Sequence, residues 1–259
     1  MSPAEPREAV IAVDRFSKRY DGRLAVDALS FSVGPGEIVG LVGPNGAGKT
    51  TTLRAIAGVH PPTSGQIRVA GHDVVAEPVQ AKRRLAIIPD EPHLFNSLTV
   101  WEHLEFAARV YRVEGWEAAA GALLQELELA DRRGSLADEL SRGMRQKVAV
   151  ACALLHDPAA LLLDEPLTGL DPRGIRTLYA TLRRRAEQGA AVLLSSHLLG
   201  QIEGLCTGFL IVREGRLLFR GTREEMRERY ASLGGGASLE DIFFHVTEGG
   251  EPAALAPVP

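Results

Sequence analysis

Cysteine is scarce in this chain, at 2 of 259 residues. Cys152 and Cys206 both fall within apolar patterns, which argues against a disulfide framework, and no metal-ligand spacing or cysteine cluster appears. Long hydrophobic runs are missing too. The longest, around Val148–Leu155 and Ala159–Leu163, are bounded by charge and fall well short of the roughly 18–20 residues of a membrane span. The start of the chain, Met1-Ser2-Pro3-Ala4-Glu5-Pro6-Arg7, lacks the basic-then-apolar order of a secretory leader. The expectation is therefore a cytosolic chain whose link to any membrane is made through a partner. There is no excess of basic charge. The net charge of −4 argues against a nucleic-acid binder, and the densest basic run, Arg183-Arg184-Arg185, reads as a solvated helix face. No sustained heptad pattern is present.

What is present is a globular composition, 45% hydrophobic over 259 residues, enough for one large α/β domain or two small ones. Within it, Gly43-Pro44-Asn45-Gly46-Ala47-Gly48-Lys49-Thr50 fits the phosphate-binding pattern G-x-x-x-x-G-K-[ST] without a mismatch. The preceding Glu37–Val42 is apolar and β-branched and predicts a buried strand. The following Thr51–Gly58 predicts a helix that stops at a glycine. A strand, a glycine loop and a helix in that order aim several backbone N–H groups, and the positive end of a helix dipole, at one anion. Lys49 is expected to reach β- and γ-phosphates and the Thr50 hydroxyl to ligand Mg²⁺. The chain carries only one such loop.

Ala160-Leu161-Leu162-Leu163-Asp164-Glu165 supplies the other half of a nucleotide site. It is a short apolar run, readable as a buried strand, that ends in two carboxylates. Ligands in parallel α/β sheets sit beyond the carboxyl ends of strands. Asp164 there suits Mg²⁺, as in other phosphate-loop nucleotidases, and Glu165 suits a general base for the attacking water. Taken alone, the run reads equally as a strand ending in solvent-exposed acids.

From about Val10 to about Gly221 the chain resembles the ATP-binding subunit of an ABC transporter. Leu140-Ser141-Arg142-Gly143-Met144 occupies the place of the family's signature loop, Thr168-Gly169-Leu170-Asp171 resembles its D-loop, and Leu193-Leu194-Ser195-Ser196-His197 its switch strand. The resemblance implies an α/β fold, a phosphate-loop NTPase core of RecA-like type with an antiparallel β subdomain and an inserted α-helical subdomain. It implies Tyr20 stacking on adenine, and ATP held by Gly43, Asn45, Gly46, Ala47, Gly48, Lys49, Thr50 and Thr51. It implies that Ser141 and Gly143 contact the γ-phosphate held by a second copy, with Asp171 at the interface between copies. Thr50, Asp164 and Asp90 would hold Mg²⁺, and Glu165, His197 and Lys49 would carry the hydrolysis of ATP.

Two places depart from the family. In Ile87-Ile88-Pro89-Asp90-Glu91-Pro92 the family usually has Gln where Asp90 stands. Asp keeps an oxygen ligand for a hard cation but loses an amide donor and adds a charge. It either makes ATP binding more Mg²⁺-dependent or is a tolerated variant in a mechanical loop. Arg142 and Met144 replace the usual Gly and Gln, and Arg142 either adds positive charge near the shared triphosphate or points to solvent.

Around this centre, residues 8–34 and Gly65–Gly71 alternate as antiparallel strands do. In 94–156, Thr99-Val100-Trp101-Glu102 resembles a capping box, and Val100, Leu104, Ala107 and Tyr111 recur at helical spacing. So do Trp116, Ala119, Leu123, Leu124 and Leu127. The expected division is 1–88 and 157–222 as ATP-binding core with β subdomain, 89–156 as helical subdomain, and 223–259 as a tail with a disordered end. Within that tail, Met226–Tyr230 reads as charged and helical, Gly234-Gly235-Gly236 as a link, and Ser238–Thr247 as a segment that packs back. The last of these resembles the terminal segment of export-type subunits.

The expected activity is Mg²⁺-dependent ATP hydrolysis that powers export through an integral permease on a separate chain. The ATPase pair would be a homodimer or heterodimer, located in the cytoplasm on the inner face of the membrane, with no nucleic-acid partner. An importer subunit, or a soluble ATPase acting on ribosomes or nucleic acid, is the alternative.

Overall fold

The computed structural model describes residues 9–231 and 238–248. One sheet is antiparallel in the order β2-β1-β4-β5, from β1 (Ile11–Tyr20), β2 (Arg23–Val33), β4 (Ser64–Val69) and β5 (His72–Asp73). The other has the order β10-β9-β3-β8-β7-β6. In it β3 (Ile38–Val42), β6 (Leu85–Ile88), β7 (Ala160–Leu163), β8 (Ala191–Ser196) and β9 (Gly208–Arg213) run parallel, and β10 (Arg216–Gly221) closes one edge antiparallel.

Every residue of β3, β7 and β8 is buried, as expected of parallel strands covered on both faces. The alternation of side chains along each strand divides two cores. Leu161, Leu163, Val192 and Leu194 face one core, shared with α3 (Val100–Tyr111), α5 (Arg142–Leu154) and α6 (Pro172–Glu187). Leu162, Leu193 and Leu41 face the other, shared with α1 (Lys49–Ile56) and the apolar side of β1 and β2. A short α2 (Pro78–Arg83) leads into β6.

The helices expected within 94–156 are α3, α4 (Trp116–Glu126) and α5. Thr99 and Glu102 close a reciprocal capping box at the start of α3: Glu102 N donates to Thr99 Oγ1 at 3.2 Å and Thr99 N to Glu102 Oε2 at 2.7 Å. The rings of Trp101 and Trp116, 4.9 Å apart, join α3 to α4. At the other end of the chain come α7 (Leu199–Ile202), α8 (Arg223–Arg229) and α9 (Leu239–Glu248). The segment expected to pack back does so: Leu239, Ile242, Phe243 and Val246 of α9 are buried in the helix-lined core. The Gly234–Gly236 link and the Glu251–Pro259 end lie outside the described residues.

The basic run lies on α6, where Arg183 and Arg184 are exposed but engaged within the chain. Arg183 donates to Gly204 O and Arg184 pairs with Glu126. Both cysteines are free, and burial pushes the Cys152 thiol up to about 12 and the Cys206 thiol higher than its ordinary value. Among the described residues no helix is long and apolar enough to cross a membrane.

Candidate functional site

Parallel register brings four strand ends to one edge of the sheet. Val42 lies opposite Ser196, Leu163 opposite Leu194, and Ile88 opposite Leu163. The residues that follow, Gly43, His197, Asp164 and Asp90, therefore emerge on the same side, where ligands of such sheets bind.

The loop between β3 and α1 is tightly packed from below. A Cβ on Gly43 would stand 2.2 Å from Val212 O, and one on Gly48 would stand 2.8 Å from Ala25 O. Gly48 also holds φ at 98° as the N-cap of α1, a conformation that only glycine adopts without strain. The β9–β10 turn braces the loop, with Gly215 N donating to Ala47 O at 3.1 Å. Lys49 is 6% exposed. Its ammonium donates to Gly43 O at 2.6 Å and Pro44 O at 3.2 Å and lies 3.6 Å from Glu165 Oε1. Burial holds its pKa below the usual value, opposed by the negative charges of Glu165 and Asp164. A desolvated ammonium gains from an anion's approach.

Two acids follow β7. Asp164 is buried, and Ser195 of β8 donates to its Oδ1 at 2.6 Å. The same hydroxyl accepts from Glu165 N at 2.9 Å. Glu165 adopts φ 45°, a left-handed conformation uncommon for a non-glycine residue and concentrated at functional sites. That turn aims its carboxylate at the cavity between Lys49 and His197, whose Nδ1 is 2.9 Å from Glu165 Oε2. An ionised carboxylate only accepts, so Nδ1 carries the proton.

Asp90 follows β6 and is 3.2 Å, through Oδ1, from Arg142 Nη2, with both side chains nearly half exposed. Burial raises the Asp90 pKa; Arg142 opposes the shift, while Asp164 and Glu165 add to it.

A cavity of about 560 Å³ joins these parts, lined by Tyr20, Arg23, Leu24, Ala25, Asn45 through Thr51, Asp90, Asp164, Glu165 and Glu214. Of the residues expected at a nucleotide site, Tyr20, Asn45, Gly46, Ala47, Gly48, Lys49, Thr50, Thr51, Asp90, Asp164 and Glu165 meet here. Gly43 lies beneath, as acceptor for Lys49, and His197 touches the cavity through Glu165. Tyr20 is 38% exposed at the rim, with Lys18 Nζ 5.0 Å from its ring centre.

Ser141, Gly143 and Asp171 do not line the cavity. Ser141 caps α5, accepting from Met144 N at 3.3 Å, and Asp171 caps α6, accepting from Gly174 N at 2.6 Å. A Cβ on Gly143 would stand 3.2 Å from Gly169 O, so the 141–144 and 168–171 segments abut.

Sequence reasoning passed over Arg23, Leu24, Ala25 and Glu214. The first three follow Tyr20 across the Asp21-Gly22 turn, a hairpin signal, with Arg23 opposite Tyr20 and Leu24 opposite Arg19. Nothing local marks Glu214. The bridging role of Ser195 is visible only once β7 and β8 are paired.

The cavity's charges are unbalanced, with Lys49 and Arg23 facing Asp90, Asp164, Glu165 and Glu214. A polyphosphate entering there meets four carboxylates, which favours its arrival with a divalent cation. The oxygen donors of Thr50, Asp164 and Asp90 suit such a hard ion.

A parallel sheet with a glycine loop at β3, paired acids at β7 and a histidine beyond β8 defines a phosphate-loop nucleotide-hydrolysing core. The family model described as "ABC transporter" matches residues 26–168, and the chain belongs to that family as an ATP-binding subunit, whose members hydrolyse ATP in transport. It is 35% identical over 242 residues to the ABC-type transporter ATP-binding protein EcsA of Bacillus subtilis (strain 168), spanning 93% of this chain and 97% of that protein. It is 38% identical over 222 residues to the Nod factor export ATP-binding protein I of Burkholderia thailandensis, spanning 85% of this chain and 73% of that protein. A solved structure described as an ATP-binding subunit of an ABC transporter has TM-score 0.86 and 35% identity, covering 92% of this chain and 99% of that one. The expected α/β fold and ATPase class are thereby established.

Proposed function

We propose that the chain hydrolyses Mg²⁺-bound ATP to drive export through a permease carried on another polypeptide, acting from the cytoplasmic face of the membrane. The observation that carries the chemistry is the placement of the Glu165 carboxylate, 3.6 Å from Lys49 Nζ and 2.9 Å from His197 Nδ1, on a backbone turned to φ 45°. Lys49 exchanges its carbonyl partners for phosphate oxygens, and the loop N–H groups of Gly46 to Thr51 hold the triphosphate in place. Glu165 orients water toward the γ-phosphorus and accepts its proton, and His197 steadies the transferring group. Tyr20 offers a flat face to the base. Thr50, Asp164 and Asp90 would hold the cation, which would supply charge neutralisation on the phosphates. Ser141, Gly143 and Asp171 meet a second copy, so that two chains close on nucleotide, with 89–156 as a helical unit inserted in the core.

The permease reading draws on an apolar groove of about 570 Å³ between β6 and α3, lined among others by Val59, Phe95, Phe106 and Val110. Each of these four is at least half exposed, so a membrane partner's cytosolic segment gains buried area there. Export is favoured by the Burkholderia relative's own name.

The test is a tagged Glu165→Gln chain, which should bind ATP while turning over about 10²–10⁴-fold more slowly. Pulled down from native membranes and cytosol with ATP and Mg²⁺, it should bring a multi-span permease, identified by mass spectrometry. Ribosomes or DNA without a membrane protein would overturn the transport reading, and near-normal turnover would overturn the role of Glu165.

A further inference from the structure

Asp90 and Arg142 stand 52 residues apart in the sequence and join two separate pieces of the molecule. Asp90 follows β6 of the parallel sheet and lines the nucleotide cavity with Asp164 and Glu165. Arg142 is the first residue of α5, next to its Ser141 cap. The aliphatic arm of Arg142 passes over Gly169. A Cβ on Gly169 would stand 2.8 Å from Arg142 Cδ, so only a glycine leaves the arm its path. The ion pair therefore ties the start of α5 to the cavity wall, through a carboxylate that also lines the cavity.

Both partners draw on the single negative charge of the Asp90 carboxylate. Oδ1 is engaged by the guanidinium at 3.2 Å, and a hard cation asks for the same charge density. An ion pair this exposed is weak, worth no more than about a fivefold change in an equilibrium, so an arriving cation competes with it successfully.

We propose that Arg142 is a positioning residue whose pair with Asp90 forms a cation-sensitive latch: a divalent cation entering with nucleotide draws Asp90 away and unties the N-terminus of α5 from the segment after β6. The latch rests on the reading above that Asp90 reaches the cation. It makes the departures from the family at 90 and 142 a matched pair rather than two isolated substitutions. Before the cation arrives Arg142 neutralises Asp90; afterwards the guanidinium and the α5 N-terminus are released together.

The test uses the full chain in the Glu165→Gln background, so that hydrolysis does not blur binding. A fluorescent N-methylanthraniloyl-ATP is titrated with Mg²⁺ in the parent, Arg142→Gln, Arg142→Lys, Asp90→Asn and the Asp90→Asn/Arg142→Gln pair. Arg142→Gln should lower the Mg²⁺ midpoint about twofold to fivefold, and Arg142→Lys should restore most of it. The effect should vanish in about 1 M NaCl, where screening reaches ~3 Å, and Asp90→Asn should erase the difference made by Arg142→Gln. Amide exchange at 140–145, followed below the concentration at which copies associate, should rise on adding Mg²⁺ to the ATP-bound parent and be high from the start in Arg142→Gln.

A midpoint raised by Asp90→Asn but unmoved by Arg142→Gln overturns the latch and leaves Asp90 as a cation contact. A midpoint unmoved by Asp90→Asn overturns that contact, and the latch with it. Failure of the parent to bind the nucleotide at all overturns the functional reading itself.

Discussion

Ser195 uses both capacities of one hydroxyl on the two acidic residues after β7, donating to Asp164 Oδ1 and accepting from Glu165 N. It thereby holds a strained turn and the orientation of the carboxylate that follows from it. Replacing Ser195 with Ala leaves a buried carboxylate oxygen and a backbone N–H without partners, at a cost of about 1–3 kcal/mol. Urea denaturation of Ser195→Ala should show that loss, and steady-state kinetics should show kcat falling more than KM for ATP changes. Unaltered kcat would mean that Glu165 is oriented by other contacts. Lys49 offers the complementary case. Its carbonyl partners, Gly43 O and Pro44 O, belong to the glycine loop itself, so its place in the cavity was readable from eight consecutive residues. Ser195 was not, because its partners lie 30 and 31 residues away and a serine ending an apolar strand carries no mark of its own. The Asp90–Arg142 pair was hidden for the same reason, although both residues stood out singly as departures from the family.

At the scale of elements, legibility followed how local the cause was. The start of α3 was announced by Thr99 and Glu102, whose reciprocal bonds span three residues. The antiparallel strands were announced by alternation, and the packing of 238–247, though not its helical form, by its apolar content. The cavity wall contributed by β2 and the β9–β10 turn was not announced, since it depends on how one sheet sits on the other. Where α3, α5 and β6 meet, the ring of His156 stacks on Tyr111 at 3.6 Å and its Nε2 is 3.2 Å from Leu85 O. A carbonyl only accepts, so Nε2 carries the proton, and Nδ1 is buried without a partner. Burial accordingly holds the His156 pKa below 6.5, against the pull of Leu85 O and Asp157. The unfolded chain then binds a proton that the folded one resists, so stability falls as pH drops from 6.5 toward the folded pKa and levels off below it. Comparing urea midpoints at neutral and mildly acidic pH, His156→Phe should show a smaller acid loss than the parent. The exposed side of α3 should behave differently. Phe106→Glu should change stability by no more than about 0.5 kcal/mol and leave ATPase activity of the isolated chain intact. Co-purification of the membrane partner should be lost, and its persistence would place the docking surface elsewhere.

At the scale of the whole molecule, the cavity is open beside a second cluster, Ser141, Gly143 and Asp171, that lines none of it. In the proposed pair, each cluster would meet the other copy's cavity and complete both sites. With ATP and Mg²⁺, Glu165→Gln should therefore double in mass by analytical ultracentrifugation. Adding Gly143→Asp, which sets a negative charge on the contact face, should prevent association while leaving nucleotide binding by the single chain in place. A dimer that survives this change would put the contact on another face. The strand order has a further consequence, for how the protein is made. β3 carries the phosphate loop, yet its two hydrogen-bonding neighbours are β8 and β9, and β9 ends at Arg213, about 170 residues further along the chain. At about 5–20 residues per second, a ribosome needs on the order of 10–30 s to deliver both neighbours. For most of that interval β3, buried along its whole length in the finished fold, stands outside the tunnel with both edges unpaired, open to pairing with other chains. No incomplete chain that stops short of His197 can assemble the pocket, so competence for ATP arrives late in synthesis and nearly all at once.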